Sequence, residues 1–188
     1  IAQKSGHDWY YIDGSYFDCV RGRMFRVTKN RLQIDPRERE TNGKRFAALG
    51  LDVQPMRNPT PTSCCLAVEQ SQKFMIDVAD DKNWLERRVA AAHRIGSDVR
   101  WRRWAHDKLR LCGNLQDDFC AAHAVLTHSS AAAVEAQLAG LPVVVSQMSA
   151  MYGVEPQDRL RVFGVLADNE FSINEIKSGK AWSWLNAS

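Results

Sequence analysis

The sequence predicts an α/β protein: a Rossmann-like parallel sheet with flanking helices, a reduced N-terminal lobe before it and a helical tail after it. Three observations carry this. From residue 64 onward, short apolar runs alternate with amphipathic stretches, and strands separated by helices of roughly 10–15 residues form right-handed crossovers onto a parallel sheet. The runs are near-continuous Val, Leu and Ala, as strands covered on both faces require. Pro55, Pro59 and Pro61 separate this region from a shorter, aromatic-rich one, and proline neither donates to a ladder nor leaves its neighbour free. The division falls between an N-terminal lobe, 1–57, and a Rossmann-like domain with C-terminal helices, 58–188.

Taken in order, residues 9–17 read as a strand turning at Asp13-Gly14, and 24–28 as a second short strand. The charged stretch 35–42 reads as loop, and 46–51 as one helical turn closed by Gly50. After the prolines, 64–69 is an apolar strand. Asn83 with Glu86 three residues on has the spacing of a capping box. It opens a helix whose face is Leu85, Val89, Ala92 and Ile95, ending at Gly96. Residues 99–104 alternate apolar and basic, like a half-exposed strand. Leu111, Leu115, Phe119 and Ala122 mark the next helix. A buried-type strand at 124–127, a helix at 130–139 closed by Gly140 and a strand at 142–146 follow. Pro156 starts a helix with Leu160, Phe163 and Ala167 inward, and Ser172 with Glu175 repeats the capping-box spacing in a helix that stops at Gly179.

The chain has 188 residues and 45% hydrophobic content, enough for a core and against disorder. It begins with Ile rather than Met, which leaves a fragment, a processed chain or a gapped one open. The net charge of +3 is no nucleic-acid signature by itself. Its cations cluster, however, at Arg21, Arg23, Arg26, Lys29 and Arg31 and again at Arg100, Arg102, Arg103 and Lys108. Such runs also serve simply as solvated faces. Five cysteines, odd in number and without C-x-x-C spacing, read as reduced thiols in a cytoplasmic protein rather than as a zinc site. No apolar run approaches the roughly 20 residues of a membrane span. Asp80-Asp81 reads as a helix lead-in, so no metal site is expected.

Ligands of an open parallel sheet bind beyond the carboxyl ends of its strands. That rule selects three loops. The first offers Gln70 and Ser71, and the second Arg103 and Lys108, two cations suited to a departing diphosphate. The third is Thr127-His128-Ser129-Ser130, leading into an alanine-rich helix whose free N–H groups favour an anion. Ser130 equally reads as an ordinary N-cap, and His128 as a structural histidine. Glu135, on an otherwise small and apolar helix, faces solvent or accepts from ligand hydroxyls.

The run from 122 to 145 has an apolar strand, Ser129-Ser130, a small-residue helix with Glu135, and Ala139-Gly140-Leu141-Pro142-Val143. It resembles the donor-binding segment of GT-B-type glycosyltransferases, most nearly the capsule-polysaccharide, Kdo-transferase-like branch. UDP-sugar epimerases share much of this pattern. The resemblance implies that Ser129 and Ser130 hold donor phosphates, that Glu135 holds a sugar or ribose hydroxyl, and that Arg103 and Lys108 bind the diphosphate. A nucleotide sugar is then the donor substrate, with no further cofactor. The part before residue 64 is short for the lobe that supplies the acceptor site and base in such enzymes. Asp13, with His7 behind it, is its acidic candidate, and His128 is the base candidate of the main domain. Residues 10–17 with Arg21-Gly22-Arg23 also resemble uncharacterised phage and prophage proteins, which adds DNA to saccharides as acceptors.

The leading reading is therefore a metal-independent glycosyltransferase. A nucleotide-sugar epimerase is one rival. A phage-encoded nucleic-acid-binding or DNA-modifying protein is the other, its cations at 21–31 interleaved with Tyr16, Phe17 and Phe25.

Overall fold

The computed structural model describes residues 7–17, 23–58, 63–79, 81–103 and 114–187. It divides into two compact units, one comprising Ile1–Leu51 and Val154–Ser188, the other Asp52–Gly153.

The second unit holds the parallel sheet. Its strands are β3 (Cys64–Val68), β4 (Val99–Arg102), β5 (Ala122–Leu126) and β6 (Val143–Val144), in the order β4-β3-β5-β6. All three pairings are parallel. Successive side chains of a strand face opposite sides of a sheet, and β3 obeys this with apolar residues on both. Leu66 and Val68 pack with Phe119, Val125, Ala132, Ala136 and Leu141 on one side. Cys65 and Ala67 pack with Trp84, Leu85, Val89, Ala92 and Leu126 on the other. Each large side chain buried this way contributes about 1.5–3 kcal/mol. The helices supplying those partners are α3 (Trp84–Arg94), α4 (Leu115–Ala121) and α5 (Ala132–Leu138), while α2 (Gln72–Asp77) follows β3 and buries no side chain. This is the Rossmann-like class that the alternation predicts.

Gly140 ends α5 with φ +77°, and a Cβ there would overlap the carbonyl of Pro55. The Gln54 N–H donates to Leu138 O at 2.8 Å and the Arg57 N–H to Gly140 O at 2.7 Å. The stretch after Leu51 is thereby fastened to the end of α5.

The first unit is built on an antiparallel sheet of β1 (Tyr10–Gly14), β2 (Met24–Lys29) and β7 (Glu170–Ser172), in the order β1-β2-β7. The helices α1 (Lys44–Ala48), α6 (Arg159–Asp168), α7 (Ile173–Lys177) and α8 (Lys180–Asn186) accompany it. Val27, Phe171, Ala181 and Leu185 form one core cluster, and the rings of Phe17, Phe46 and Phe163 form another contact set. Gly164 of α6 admits the chain at Thr41, whose Cγ2 would lie 2.8 Å from an added Cβ.

Several elements differ from the sequence expectation. The C-terminal helices, expected with the Rossmann-like part, group with the N-terminal residues, because β7 pairs with β2 and Thr41 Oγ1 donates to Asp168 at 2.6 Å. Asp13-Gly14 is no turn: both residues continue the β1 ladder, opposite Arg26 and Phe25. Asn83 stands at φ −104°, ψ 16° and makes no side-chain cap, since an N-cap needs extended backbone to aim its oxygen at the helix. Ile95 and Leu160, expected inside, are 81% and 63% exposed. The strand after Pro142 is two residues long, and Ala122 opens β5 rather than closing α4. Short α2, β7 and α8 leave no sequence signal of their own. Leu111 lies outside the described residues.

Candidate functional site

The order β4-β3-β5-β6 places a switch point between β3 and β5. The chain leaves β3 in one direction, through α2 and α3 to β4, and then crosses back past β3 to β5. Crossovers on opposite faces diverge there and open a crevice beyond the carboxyl ends. The two flanking loops are those of Gln70 and of Thr127-His128-Ser129-Ser130.

These loops are joined. Gln70 Oε1 accepts from Ser129 N at 2.9 Å and from Ser129 Oγ at 3.2 Å. His128 is 1% exposed. Its Nδ1 lies 3.3 Å from Ser129 Oγ and 3.3 Å from Ser146 Oγ. Ser146 N donates to His128 O at 2.9 Å, so the residue after β6 is tied to the same turn. The edges of Trp84 and Phe74 flank the imidazole, with centroids at 5.8 and 6.1 Å.

The other sequence candidates occupy distinct places. Thr127 is fully buried, and its Oγ1 has no hydrogen-bond partner among the described residues. Ser130 Oγ accepts from Ala132 N at 3.2 Å, one residue before Ala131, the uncapped N-terminus of α5, and this leaves the hydroxyl proton for another acceptor. Ser129, in contrast, is buried and already committed to Gln70. Ser71 caps α2 by accepting from Phe74 N at 3.2 Å. Glu135 is half-buried in the first turn of α5. Arg103 is exposed just beyond β4, its guanidinium over the Trp101 ring at 5.9 Å. Lys108 lies outside the described residues, as does Asp80. Asp13 belongs to the first unit. Its Oδ2 is bound by Arg26 and by Tyr11 OH at 3.1 Å, and its Oδ1 accepts from Gly14 N at 2.8 Å.

Beside His128 and Gln70 is a cavity of about 360 Å³, lined further by Glu69, Gln72, Met75, Lys82, Leu85 and Glu86. Of these lining residues, sequence reasoning identified Gln70 and His128 alone. Lys82 and Glu86 come from the start of α3, a helix the sequence does show. Their approach to the loop after β3 depends on α2, whose six residues bury no side chain and so carry no amphipathic signal. The cavity size is at the small end of the roughly 300–1,000 Å³ usual for ligand sites. Its lining mixes two carboxylates, one ammonium, two amides and an imidazole with the apolar Met75 and Leu85.

The basic clusters are largely engaged. Arg100 and Arg102 both pair with buried Asp118, Arg100 at 2.7 Å. In the first unit, Arg26 is buried over the Tyr16 ring, Lys29 pairs with Asp8 at 2.8 Å, and Arg31 pairs with Glu38 at 2.5 Å. Burial pushes the Cys65 thiol above its ordinary range, so it stands as a protonated core thiol. Among the described residues no group of three His, Cys, Asp or Glu side chains is placed to hold a metal ion, and no helix is long and apolar enough to cross a membrane.

Fold and crevice together define a Rossmann-like α/β protein with its cavity at the sheet's switch point. No protein-family model matches the chain, and no curated protein matches it in sequence. In three dimensions it is similar to Thermosulfurimonas dismutans KpsC, a beta Kdo 2,7 transferase, with a TM-score of 0.52 and 13% identity over 95% of this chain and 77% of that one. The fold is thus glycosyltransferase-like.

Proposed function

We propose that this protein is a glycosyltransferase that binds a nucleotide-activated sugar at the carboxyl ends of β3 and β5 and transfers the sugar to an acceptor hydroxyl. The observation that carries the reading is the junction at the switch point, where Gln70 fastens the loop after β3 to Ser129 beside a polar cavity. The likeness in fold to a Kdo transferase supports the same class.

The cavity's chemistry suits the sugar better than the phosphates. Glu69 and Glu86 outnumber Lys82, and a dianionic group would meet repulsion there. Carboxylates and amides accept and donate to hydroxyls, while Met75 and Leu85 offer an apolar surface to ring carbons. The phosphates fall to Ser130, whose hydroxyl proton is available, and to Arg103 with Lys108. Glu135 is the acceptor for a ribose or sugar hydroxyl. The bond between sugar and phosphate weakens as Arg103 and Lys108 stabilise the departing charge. His128 is the base for the acceptor hydroxyl. Asp13, its oxygens held by Arg26, Tyr11 and Gly14, is the alternative base.

Calorimetric titration with a panel of nucleotides and nucleotide sugars tests the reading. At least one nucleotide sugar is expected to bind, and Ser130→Ala to weaken it about tenfold, the loss of one hydrogen bond to a charged group. A folded protein that binds none of the panel contradicts the proposal.

One observation favours a second reading. Paired acids with a histidine, as at Glu69, Glu86 and His128, are also what a nucleotide-sugar epimerase needs. Incubation with a UDP-N-acetylhexosamine separates the two, since an epimerase returns the epimer and a transferase does not. A DNA-binding role draws less support, because Arg26, Lys29 and Arg31 are engaged with their own acids. Steeply salt-dependent DNA binding that survives loss of Ser129, Ser130 and Glu135 would restore it.

A further inference from the structure

We infer that Gln70 contacts the sugar directly, its carboxamide held so that Nε2 donates into the crevice to an oxygen of the ligand. A backbone N–H must meet an acceptor, so the Gln70 atom 2.9 Å from Ser129 N is the oxygen Oε1. The same oxygen lies 3.2 Å from Ser129 Oγ. With Oε1 facing Ser129, the NH2 end of the planar carboxamide is turned away from it. Among the described residues nothing accepts from Nε2 at hydrogen-bond distance. Nor is this nitrogen one of the buried side-chain atoms that lack a partner. Gln70 is half-buried and lines the cavity. Its two N–H bonds are therefore open to whatever fills that space.

Lys82 and Glu86 line the same cavity but are exposed, at the start of α3. Long exposed side chains lose rotamer freedom on meeting a ligand. Gln70 has already given up that freedom to Ser129 on folding, so its donor is fixed in advance and costs less to use. An N–H donor meets a lone pair and not another N–H. A fixed donor at this place selects a hydroxyl or carbonyl oxygen and disfavours an ammonium or a bare methylene.

Gln70 then acts at both ends. Oε1 ties the loop after β3 to the loop after β5, and Nε2 reads the ligand. That the ligand is a sugar rests on the glycosyltransferase reading; the direction of the carboxamide does not.

The test follows the side-chain NH2 signal of Gln70 in a ¹H–¹⁵N correlation spectrum. It is assigned by its loss in Gln70→Glu or, where that variant does not fold, in Gln70→Met. The titrants are the nucleotide sugar that binds best and the same nucleotide without its sugar. The expected result is a signal displaced by the nucleotide sugar and left in place by the bare nucleotide. Gln70→Glu keeps an acceptor for Ser129 and puts a second oxygen where the NH2 stood. It is expected to retain the thermal midpoint of the unliganded protein and to bind the nucleotide sugar about tenfold more weakly, the loss of one hydrogen bond. A role confined to fastening the two loops would leave that affinity unchanged, and this outcome overturns the inference. A Gln70 signal unmoved by a nucleotide sugar that binds, or moved as far by the bare nucleotide, also overturns it and leaves the glycosyltransferase reading standing. A folded protein that binds no nucleotide sugar overturns both.

Discussion

Glu175 gathers Arg45 at 3.0 Å, Lys180 at 2.6 Å and the N–H of Ser172 at 2.9 Å on one carboxylate. Hydrogen bonding from Arg45, with Lys180 and Ser172 behind it, holds this carboxyl far below the usual range. A depressed folded value means the ionised form is stabilised by folding. Its contribution is therefore present above the unfolded glutamate range, near pH 4.3, and is lost as pH falls. Glu175→Gln is expected to cost about 1–2 kcal/mol at pH 7 and to flatten the acid limb of urea stability measured from pH 7 down to pH 3. Glu170 has the opposite sign. Burial raises its carboxyl despite hydrogen bonds from Ser15 and Tyr16, so its contribution fades as pH rises through the folded value. The Ser172–Glu175 box was legible at three-residue spacing. Arg45 as its partner was not, because nothing local links residues 130 apart in the chain. The same holds at the candidate site. Ser129, His128 and Gln70 could each be picked out by position at a strand end, but the hydrogen bonds that commit Ser129 to Gln70 arise only when two loops meet.

Among the elements, β3 and β5 were the most legible, since strands buried on both faces must be apolar throughout. The amphipathic helices were legible in type but less so in face. The stripe through Leu85, Val89 and Ala92 overruns at Ile95, where the helix has already ended. β6, β7 and α2, of two, three and six residues, show neither a continuous buried run nor a buried stripe, and they owe their form to their neighbours. α5 is the case where sequence and packing agree most closely. Gly140 after it supplies a left-handed residue and also room for the Pro55 carbonyl. Gly140→Ala is expected to destabilise the protein by about 2 kcal/mol or more, combining the left-handed penalty with the overlap. A fall in the urea midpoint at unchanged slope is the measurement. A midpoint equal to that of the unmodified protein would mean that the Gln54–Arg57 stretch is not fastened as described.

For the whole molecule, alternation of strand and helix sufficed for the Rossmann-like class, and the unit that holds the parallel sheet runs from Asp52 to Gly153. The return of the C-terminal residues to the N-terminal sheet was hidden, because a three-residue β7 pairs with a strand at the other end of the chain. The candidate site inherits that pattern. Its β3 and β5 loops follow from the general behaviour of parallel sheets, whereas the contribution of Lys82 and Glu86 depends on the path through α2. The central claim is that the crevice between these loops receives a nucleotide sugar. It is tested most directly by a crystal structure of the protein soaked with the nucleotide sugar that binds best in titration. The account predicts density for the sugar among Glu69, Gln70, Lys82, Glu86 and His128, with phosphates toward Ser130 and Arg103. Density elsewhere on the molecule, with this crevice empty, would contradict it.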